Sequence, residues 1–182
     1  MKKISIILFI FLLSSLASPK NILKIGAYAG YFSPKDDSLN SIYKKKDPIY
    51  GGKVGVRVWN EFYVWVSGMH CQKKGKTSLL DDDTQLTLNP VTLSLKYTAP
   101  LGSFKPYVGA GITYLYYKEK SNIGDVKGEQ KGYTVEAGFE LNLSRHFALD
   151  LGASYSDIKV DPTGFDVELG GFQAGISFLI LI

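Results

Sequence analysis

The sequence predicts an all-β protein, an up-and-down transmembrane β-barrel of eight antiparallel strands. Apolar and polar residues alternate with a period of two along most of the chain, which is typical of strands that separate two environments. The polar connections between these segments alternate between long and short. No later apolar stretch reaches the roughly 20 residues that a membrane-spanning helix requires, so insertion would have to use strands. The mean hydropathy of +0.00 agrees with this, because alternating faces cancel in the average.

Eight segments carry the alternation, each near the roughly 9 to 11 residues that a tilted strand needs to cross a bilayer. They are residues 23–32, 50–59, 62–70, 84–97, 106–117, 132–143, 147–156 and 167–180. The sixth is the clearest, since Tyr133, Val135 and Ala137 alternate with Thr134 and Glu136. The composition, with 19 Gly, 12 Tyr and 10 Phe, suits closely packed strands with aromatic residues at the membrane surface.

The fourth segment contains an irregularity. Its apolar residues change parity between Leu88 and Val91, and Pro90 lies at the change. Proline within a sheet is typical of edges and bulges, and a bulge inserts one extra residue that would reverse the parity. The pattern therefore predicts a β-bulge at Pro90.

The connections support a membrane barrel over other all-β folds. The long ones are residues 33–49, 72–83, 118–131 and 157–166, and the short ones are residues 60–61, 100–102 and 144–146. Transmembrane barrels have short periplasmic turns and longer external loops at opposite ends. A lipocalin-type barrel or a β-sandwich is the alternative, but neither requires such segregation of its loops.

The N-terminus has the layout of a secretory signal peptide. Two lysines follow the first methionine, residues 4–13 form an apolar run, and Ser15-Leu16-Ala17 provides small residues at a cleavage site. We expect cleavage after Ala17, so that residues 18–182 form the barrel domain. A retained anchor is the alternative, for which the apolar run is short. Export would permit a disulfide, but Cys71 is the only cysteine, so no bridge can form within the chain. We interpret it as a small apolar residue near a strand end, and an intermolecular link is the alternative.

The cost of placing charge in lipid indicates which face points outward. A lysine or arginine at the bilayer midplane costs about 2 to 4 kcal/mol, and an acidic residue somewhat less. We therefore expect the charged strand residues inside, where buried charges must be paired. The predicted salt-bridge network, which plugs the lumen, comprises Lys53, Arg57, Glu136, Glu140 and Asp150, with Lys96 and Glu168 as further candidates. An eight-stranded barrel has little room beyond its own side chains, which argues against a diffusion pore.

Aromatic residues gather near the predicted strand ends. In a membrane barrel such residues form girdles at the two interfaces, whereas ordinary edge-strand aromatics are the alternative. The candidates are Tyr31, Phe32, Trp59, Phe62, Tyr97, Tyr107, Tyr116, Tyr117 and Tyr155.

Two segments resemble a known family. Residues 104–114, FKPYVGAGITY, resemble the fifth-strand signature of small outer-membrane β-barrels of the outer membrane protein A and X type. Residues 135–155, VEAGFELNLSRHFALDLGASY, are similar to the hairpin that follows it in those proteins. The resemblance implies a barrel in the bacterial outer membrane, and its motifs cover the C-terminal half of the chain.

The C-terminus resembles the assembly signal that the outer-membrane insertion machinery reads. Gln173, Gly175 and Phe178 match its polar residue, glycine and first aromatic residue. Ile180 stands where a second aromatic residue is usual, and two more residues follow. The resemblance implies that this machinery is a partner during assembly, with recognition weakened by the departure at Ile180.

The expected function is a structural or interaction role, in envelope integrity or in surface binding through the charged external loops. Lys44, Lys45 and Lys46 are candidates for contacts with lipopolysaccharide phosphates, so the expected partners are outer-membrane lipid and lipopolysaccharide. The long loops contain twelve lysines and twelve acidic residues, and this balance argues against nucleic-acid binding. We expect a monomer.

Two other functions stay open. One is a narrow channel for small or hydrophobic solutes, which an unplugged lumen would support. The other is a lipid A-modifying enzyme, since enzymes of similar size that deacylate lipid A use a His-x-Ser pair. The two histidines, His70 and His146, lack that serine. We therefore expect no catalytic residue, and the sequence indicates no metal or cofactor site.

Overall fold

A computed structural model describes residues 22–35, 47–76, 83–121, 124–160 and 167–182. These ranges form ten strands. In chain order they are β1 (Leu23–Pro34), β2 (Asp47–Trp59), β3 (Phe62–Lys76), β4 (Asp83–Thr98), β5 (Phe104–Ser121), β6 (Gly124–Asn142), β7 (Phe147–Asp157), β8 (Lys159–Val160), β9 (Val167–Glu168) and β10 (Gly171–Leu181). The predicted signal peptide and Lys44 to Lys46 lie outside the described residues.

Eight of these strands form one closed antiparallel barrel. Each of β1 to β7 pairs with its neighbour in the chain, and β10 closes the sheet by pairing with both β7 and β1. The prediction of an eight-stranded antiparallel barrel is confirmed. The short strands β8 and β9 pair with each other as a separate ribbon between β7 and β10. In the described part of the chain, no helix is long and apolar enough to span a membrane.

The two ends of the barrel differ. Three tight turns connect β2 to β3, β4 to β5 and β6 to β7 at one end, where Asn60 and Gly102 adopt positive φ values of 44° and 68°. We call the half of the barrel at this end the lower half and the opposite half the upper half. The segregation of short turns at one end agrees with the sequence prediction.

The third predicted loop, residues 118–131, is instead mostly strand. Strands β5 and β6 run for 18 and 19 residues, and Ser121 pairs with Gly124 at the tip of their hairpin. Strand β3 likewise continues to Lys76, into the second predicted loop. The sequence missed these extensions because polar residues occupy both faces there, so that no apolar–polar alternation marks the strand.

The outward face of the barrel is apolar. Val54, Val66, Leu93, Ile112 and Ile176 are each between 41% and 51% exposed, on strands all round the barrel. An apolar surface of this extent on a water-soluble protein would be unusual, whereas lipid covers it at no cost. The side chains of opposite parity point into the lumen.

The predicted bulge at Pro90 is wrong. Gly68 pairs with Val91 and Cys71 pairs with Leu88, so both strands advance by three residues and neither carries an extra one. The parity of the apolar residues changes because Leu86 and Leu88 are buried inside the barrel, at 4% and 2% exposure, while Val91 faces outward. Strand β4 therefore keeps one register past Pro90, and the observed register shift lies instead between Arg57 and Trp59.

The interior is divided between two environments. The upper half encloses an apolar cluster that packs the mouth of the barrel: Tyr28, Phe32, Ile49, Cys71, Leu86, Leu88, Leu115, Ile158 and Leu169, with Met69 and Tyr117 against it. The lower half holds most of the buried charged side chains and a smaller apolar group, Tyr63, Trp65, Ala148, Leu179 and Leu181. One lysine, Lys73, is instead buried in the upper half, 5.9 Å from the ring centroid of Phe32. An apolar interior in the upper half is the feature that alternation alone does not predict.

Glycines on facing strands make room for large side chains inside the barrel. The hydroxyl of Tyr107 occupies the space above Gly138 on β6 and Gly152 on β7, where an added Cβ would overlap it. Gly138 and Gly152 pair directly across these strands. Gly30 and Gly175, also a cross-strand pair, accommodate the hydroxyl of Tyr28 in the same way. Glycine is therefore required here for close approach.

We predict that Gly152→Ala lowers the free energy of unfolding by about 1 to 3 kcal/mol, because the new methyl group overlaps the Tyr107 hydroxyl. The loss should be smaller when the substitution is made in a Tyr107→Phe background, which removes the overlapping oxygen. Urea unfolding of the refolded protein in detergent micelles, followed by tryptophan fluorescence, measures both effects.

Gly68→Ala is the matched control, since an added Cβ at Gly68 meets nothing within 4 Å. We expect it to change the free energy of unfolding by no more than about 0.5 kcal/mol. Equal effects of Gly152→Ala in the wild-type and Tyr107→Phe backgrounds would contradict the packing described for Tyr107.

Candidate functional site: the charged lumen

Charged side chains of the inward parity come together in the lower half of the lumen. The structure places Lys53 and Arg57 on β2, Glu136 and Glu140 on β6, and Asp150 on β7 inside the barrel. Four of the five are less than 9% exposed, and Glu136 is partly buried. These five residues come from three strands, β2, β6 and β7. They meet in one layer because each occupies a position whose side chain points into the lumen.

The first ion pair joins Lys53 to Asp150 across the lumen. The Lys53 ammonium contacts Oδ2 of Asp150, and the Tyr107 hydroxyl donates a hydrogen bond to Oδ1 at 2.8 Å. Each oxygen of this buried carboxylate therefore has its own donor, which is the condition under which a buried charge is stable. Strands β2, β5 and β7 are tied together by these two contacts.

Two further ion pairs lie in the same layer. Lys96 on β4 lies 2.7 Å from Oε2 of Glu136, and Lys24 on β1 lies 2.6 Å from Oε2 of Glu140. The Lys24–Glu140 pair is almost fully enclosed, with both side chains 3% exposed. Lys96 was a further candidate for the predicted salt-bridge network. Its side chain points into the lumen, as the parity of β4 requires, and there it pairs with Glu136.

Lys24 was missed by the sequence analysis, although a signal was present. It shares the parity of Tyr28 and Phe32 on β1, and a lysine of the opposite orientation would face lipid. The cost of a lysine in lipid therefore places Lys24 inside the barrel, as it does Lys53. Small residues on both faces of β1, such as Gly26 and Ala27, hid the alternation.

Aromatic rings surround the lysines of this layer. The ammonium of Lys96 lies 4.9 Å from the ring centroid of Trp65 and 4.7 Å from that of Tyr107. Lys53 lies 5.4 Å from Trp65, and Lys24 lies 3.9 Å from Tyr63. Cations within about 6 Å of a ring face are attracted to it, more strongly when desolvated. Trp65 thus lies within 6.0 Å of the ammonium groups of Lys24, Lys53 and Lys96, whose carboxylate partners are on the neighbouring strands β6 and β7.

A cavity of about 70 Å³ lies between the charged layer and the apolar cluster. It is lined from below by Trp65, Lys96 and Glu136, and from above by residues including Cys71 and Leu115. The Trp65 Nε1 and the Glu136 Oε1 are buried without a protein hydrogen-bond partner. A polar cavity of this size has room for several water molecules, which would satisfy both atoms.

A chain of hydroxyl groups crosses the wall of this cavity. Thr92 on β4, Thr113 on β5 and Thr134 on β6 stand side by side, and their Oγ1 atoms are separated by 2.7 Å and 2.5 Å. These hydrogen bonds satisfy the inward hydroxyls within the sheet. The polar wall therefore continues from the ion pairs up to the apolar cluster.

The apolar cluster covers the cavity from the upper side. Ile158, directly after β7, and Leu169, directly after β9, are both buried in it. The ribbon of β8 and β9 is held to β1 by an exposed ion pair between Lys35 and Glu168 at 2.8 Å, and the hydrogen bond raises the pKa of Lys35. Glu168 is therefore at the upper rim, and its placement in the lumen was wrong, because β9 leaves the barrel wall.

The residues of the predicted assembly signal lie on β10. Gln173 lines the cavity, and Gly175 pairs with Gly30 beside Tyr28. Phe178 points outward and stacks on Phe147, with ring centroids 5.4 Å apart. Gly175 thus has a packing role in the folded barrel. The lysines proposed to contact lipopolysaccharide, Lys44 to Lys46, lie outside the described residues.

Three aromatic residues of the predicted girdles face the lumen instead. Phe32 is part of the apolar cluster, and Tyr107 contacts Asp150, so their assignment to the girdles was wrong. Tyr117 also packs against the apolar cluster. The exposed rings do gather at the two ends: Tyr31, Tyr50, Tyr114, Tyr116, Tyr133 and Tyr155 in the upper half, and Trp59, Tyr97, Phe104 and Phe147 in the lower half.

The two histidines lie outside the lumen, one on the outward face and one in an exposed turn. Nδ1 of His70 lies 2.7 Å from Oδ1 of Asn89, and its ring packs against Tyr50 on the outward face. His146 is in the exposed turn before β7. Among the described residues no cluster of histidine, cysteine and acidic side chains has a geometry that would hold a metal ion.

Solved structures of small outer-membrane barrels share this fold. Neisserial surface protein A matches with a TM-score of 0.67 and 15% identity, covering 88% of this chain and 97% of that one. OprG from Pseudomonas aeruginosa has a TM-score of 0.65 and 18% identity, with coverage of 90% and 98%. Ail from Yersinia pestis, in complex with the heparin analogue sucrose octasulfate, has a TM-score of 0.54 and 18% identity, with coverage of 87% and 96%.

Sequence comparison identifies the family. No curated protein matches the chain. A family model described as the outer membrane protein beta-barrel domain matches residues 5–178, nearly the whole chain. The closed barrel, the outward apolar face and the charged lumen agree with that match. The chain belongs to the outer membrane protein beta-barrel domain family and is a protein of the bacterial outer membrane.

Proposed function

We propose that this protein is a closed membrane barrel with a structural or interaction role rather than a general pore. In this proposal the barrel anchors the protein, and its upper, external end contacts lipopolysaccharide and neighbouring surfaces. Residues 1–17 serve as the export signal, removed after Ala17, and Gln173, Gly175 and Phe178 are read by the insertion machinery during assembly. The mature protein is a monomer without a catalytic role.

The layer of three buried ion pairs carries the proposal. Lys24–Glu140 and Lys53–Asp150 each join strands that are three places apart around the barrel, so their side chains cross the lumen. Lys96–Glu136 joins strands two places apart. Breaking such a pair leaves an uncompensated buried charge, which costs about 3 to 5 kcal/mol. A solute would have to separate these pairs in order to pass, so the layer supports a plugged lumen.

The apolar cluster supports closure from the external side. Phe32, Ile49, Leu88, Ile158 and Leu169 pack together above the cavity and are each less than 8% exposed. Ions and polar solutes would have to cross this apolar layer without hydration. The proposed plug therefore has two parts, an apolar layer above and an ionic layer below.

The same apolar cluster favours a second candidate function, a narrow path for small hydrophobic solutes. An aqueous pore would have a polar mouth, whereas this mouth is lined by residues such as Leu86, Leu88 and Leu115. Displacement of Ile158 and Leu169 would give an apolar solute access to the cavity. A lipid A-modifying function has no comparable observation in its favour.

We predict that Glu140→Gln lowers the free energy of unfolding by about 3 to 5 kcal/mol, because it leaves the Lys24 ammonium buried without its counter-charge. The double variant Lys24→Met/Glu140→Gln should recover most of the loss, since no charge is then stranded. Urea unfolding in micelles provides the measurement. Glu129→Gln, on the exposed outer face, is the matched control and should be close to neutral. A single variant that costs no more than this control would refute the role of the pair.

Conductance in a planar lipid bilayer tests the proposed function. The wild-type protein should be silent or show rare, small openings. Lys96→Ala/Glu136→Ala, which removes the pair beside the cavity, should open more often, whereas Leu95→Ala, its outward-facing neighbour, should behave like the wild type. Steady channels in the wild type would overturn the closed-barrel proposal. Silence together with selective passage of apolar solutes into vesicles would favour the second candidate.

A further inference from the structure

Strand β6 extends beyond the strand that pairs with its far side. Its pairing with β7 stops at Tyr133, which lies opposite Asp157, the last residue of β7. The chain then leaves β6, because the Ile158 side chain packs into the apolar cluster and the Ile158 carbonyl accepts hydrogen bonds from amides that follow β9. Within the described ranges, no strand pairs with this side of β6 at residues 125–132. We call this side of residues 125–132 the open edge of β6.

The opposite side of the same segment is fully paired. Residues 125–132 pair with β5, and β5 pairs in turn with β4 as far as Lys120 opposite Gln85. The open edge therefore belongs to a supported sheet, and its backbone N–H and C=O groups already have the geometry of a strand. An exposed row of such groups is a template to which one more strand can be added.

Charges of both signs alternate along the open edge. Lys127, Glu129 and Lys131 have the outward parity of Tyr133, and all three are exposed. Charges of a single sign on an unpaired edge would repel a second copy of the same strand. Here Glu129 lies between two lysines, so the edge contains the complement of its own charges.

A second copy of β6 matches this edge in one antiparallel register. With Gly128 opposite Gly128, each Lys127 faces the Glu129 of the other copy. By backbone position, Lys131 then comes opposite Asp125. Sliding one copy by two residues sets Lys127 against Lys127 or Glu129 against Glu129, and sliding it by one residue breaks the antiparallel hydrogen-bond pattern. Opposite charges across a strand pair stabilise it and like charges destabilise it, so charge selects the register centred on Gly128.

Antiparallel pairing also determines how the two barrels are oriented. The two-fold axis between the paired strands is perpendicular to the sheet, so it reverses the barrel axis together with the strand. The open edge begins beyond Tyr133, an exposed residue of the upper aromatic group, and such rings lie at the membrane surface. The two partners are therefore embedded in membranes that face each other, and within each membrane the protein stays a monomer.

We propose that the open edge of β6 pairs with the open edge of a second copy in a facing membrane. The protein thereby forms a contact between two membranes, built from backbone hydrogen bonds and from the pairs of Lys127 with Glu129. This inference goes beyond the anchoring role, and it rests on the proposed orientation in which the β5–β6 hairpin is external.

Association of phosphatidylcholine vesicles that contain the refolded full chain tests the proposal. Two vesicle populations carry different dyes, and two-colour fluorescence correlation counts the vesicles that move together. Wild-type vesicles should associate with each other and not with protein-free vesicles. Lys127→Glu and Glu129→Lys should each lower this association about tenfold, because like charges then meet in the register centred on Gly128.

The two single variants also provide a complementary pair. Vesicles with Lys127→Glu should associate with vesicles with Glu129→Lys, since each charge then meets its opposite in the other copy. The double variant Lys127→Glu/Glu129→Lys is the matched control, because it keeps the net charge of the wild type. It should associate with itself as the wild type does.

Folding of each variant is checked by its gel mobility before and after heating, so that an unfolded sample is not mistaken for lost association. Wild-type vesicles that do not associate would overturn the proposal. Single variants that associate as well as the wild type would also overturn it, since the edge would then accept a strand of any sequence. Complementary single variants that fail to associate would refute the register, and equal association with protein-free vesicles would assign the effect to lipid. These results are independent of conductance, which tests the closed barrel.

Discussion

A barrel in lipid must place the charged side chains of its strands inside, and the lumen of an eight-stranded barrel holds hardly any water to hydrate them. Charges in such a lumen are stable only in pairs, and the pairs must form across it. Lys24, Lys53 and Lys96 each meet a carboxylate from another part of the wall. The glycines that admit Tyr107, the ring of Trp65 beside the three lysines and the buried position of Asp150 all follow from this requirement.

The upper half meets the same constraint differently. Most of its buried inward residues are apolar, although Lys73 is also buried there beside the ring of Phe32, and Ile158 and Leu169, which flank the ribbon of β8 and β9, close the packing. The two halves meet at the small cavity lined by Thr92, Thr113 and Thr134. A lumen with an ionic half and an apolar half resists both polar and hydrophobic solutes, which is why we favour an anchoring and interaction role. The external surface then becomes the place for partners.

Sequence reasoning predicts the barrel well and its interior in part. The alternation of apolar and polar residues identified the strands. The free-energy cost of a charge in lipid identified the inward orientation of Lys53, Glu136 and Asp150, because each of them would otherwise face the bilayer. The orientation of Leu86, Leu88 and Phe32 could not be predicted in this way. An apolar side chain has a similar free energy against lipid and in a packed lumen, so its position in the alternation does not show which way it points. Which lysine pairs with which carboxylate depends on strand register and barrel stagger, which single-strand patterns do not contain. Strand length above the membrane is also invisible, because both faces of a strand are polar in water.

The only cysteine of the chain offers the most direct test of a lumen closed at both ends. Cys71 is fully buried in the apolar cluster and also lines the cavity above the ion pairs, so a reagent entering from either end would reach it. The measurement is the rate at which a charged, water-soluble thiol reagent labels the folded wild-type protein in micelles, where both ends are accessible. Our account predicts that Cys71 reacts only after the barrel is unfolded. Rapid labelling of the folded protein would show an open path into the lumen and would contradict the account.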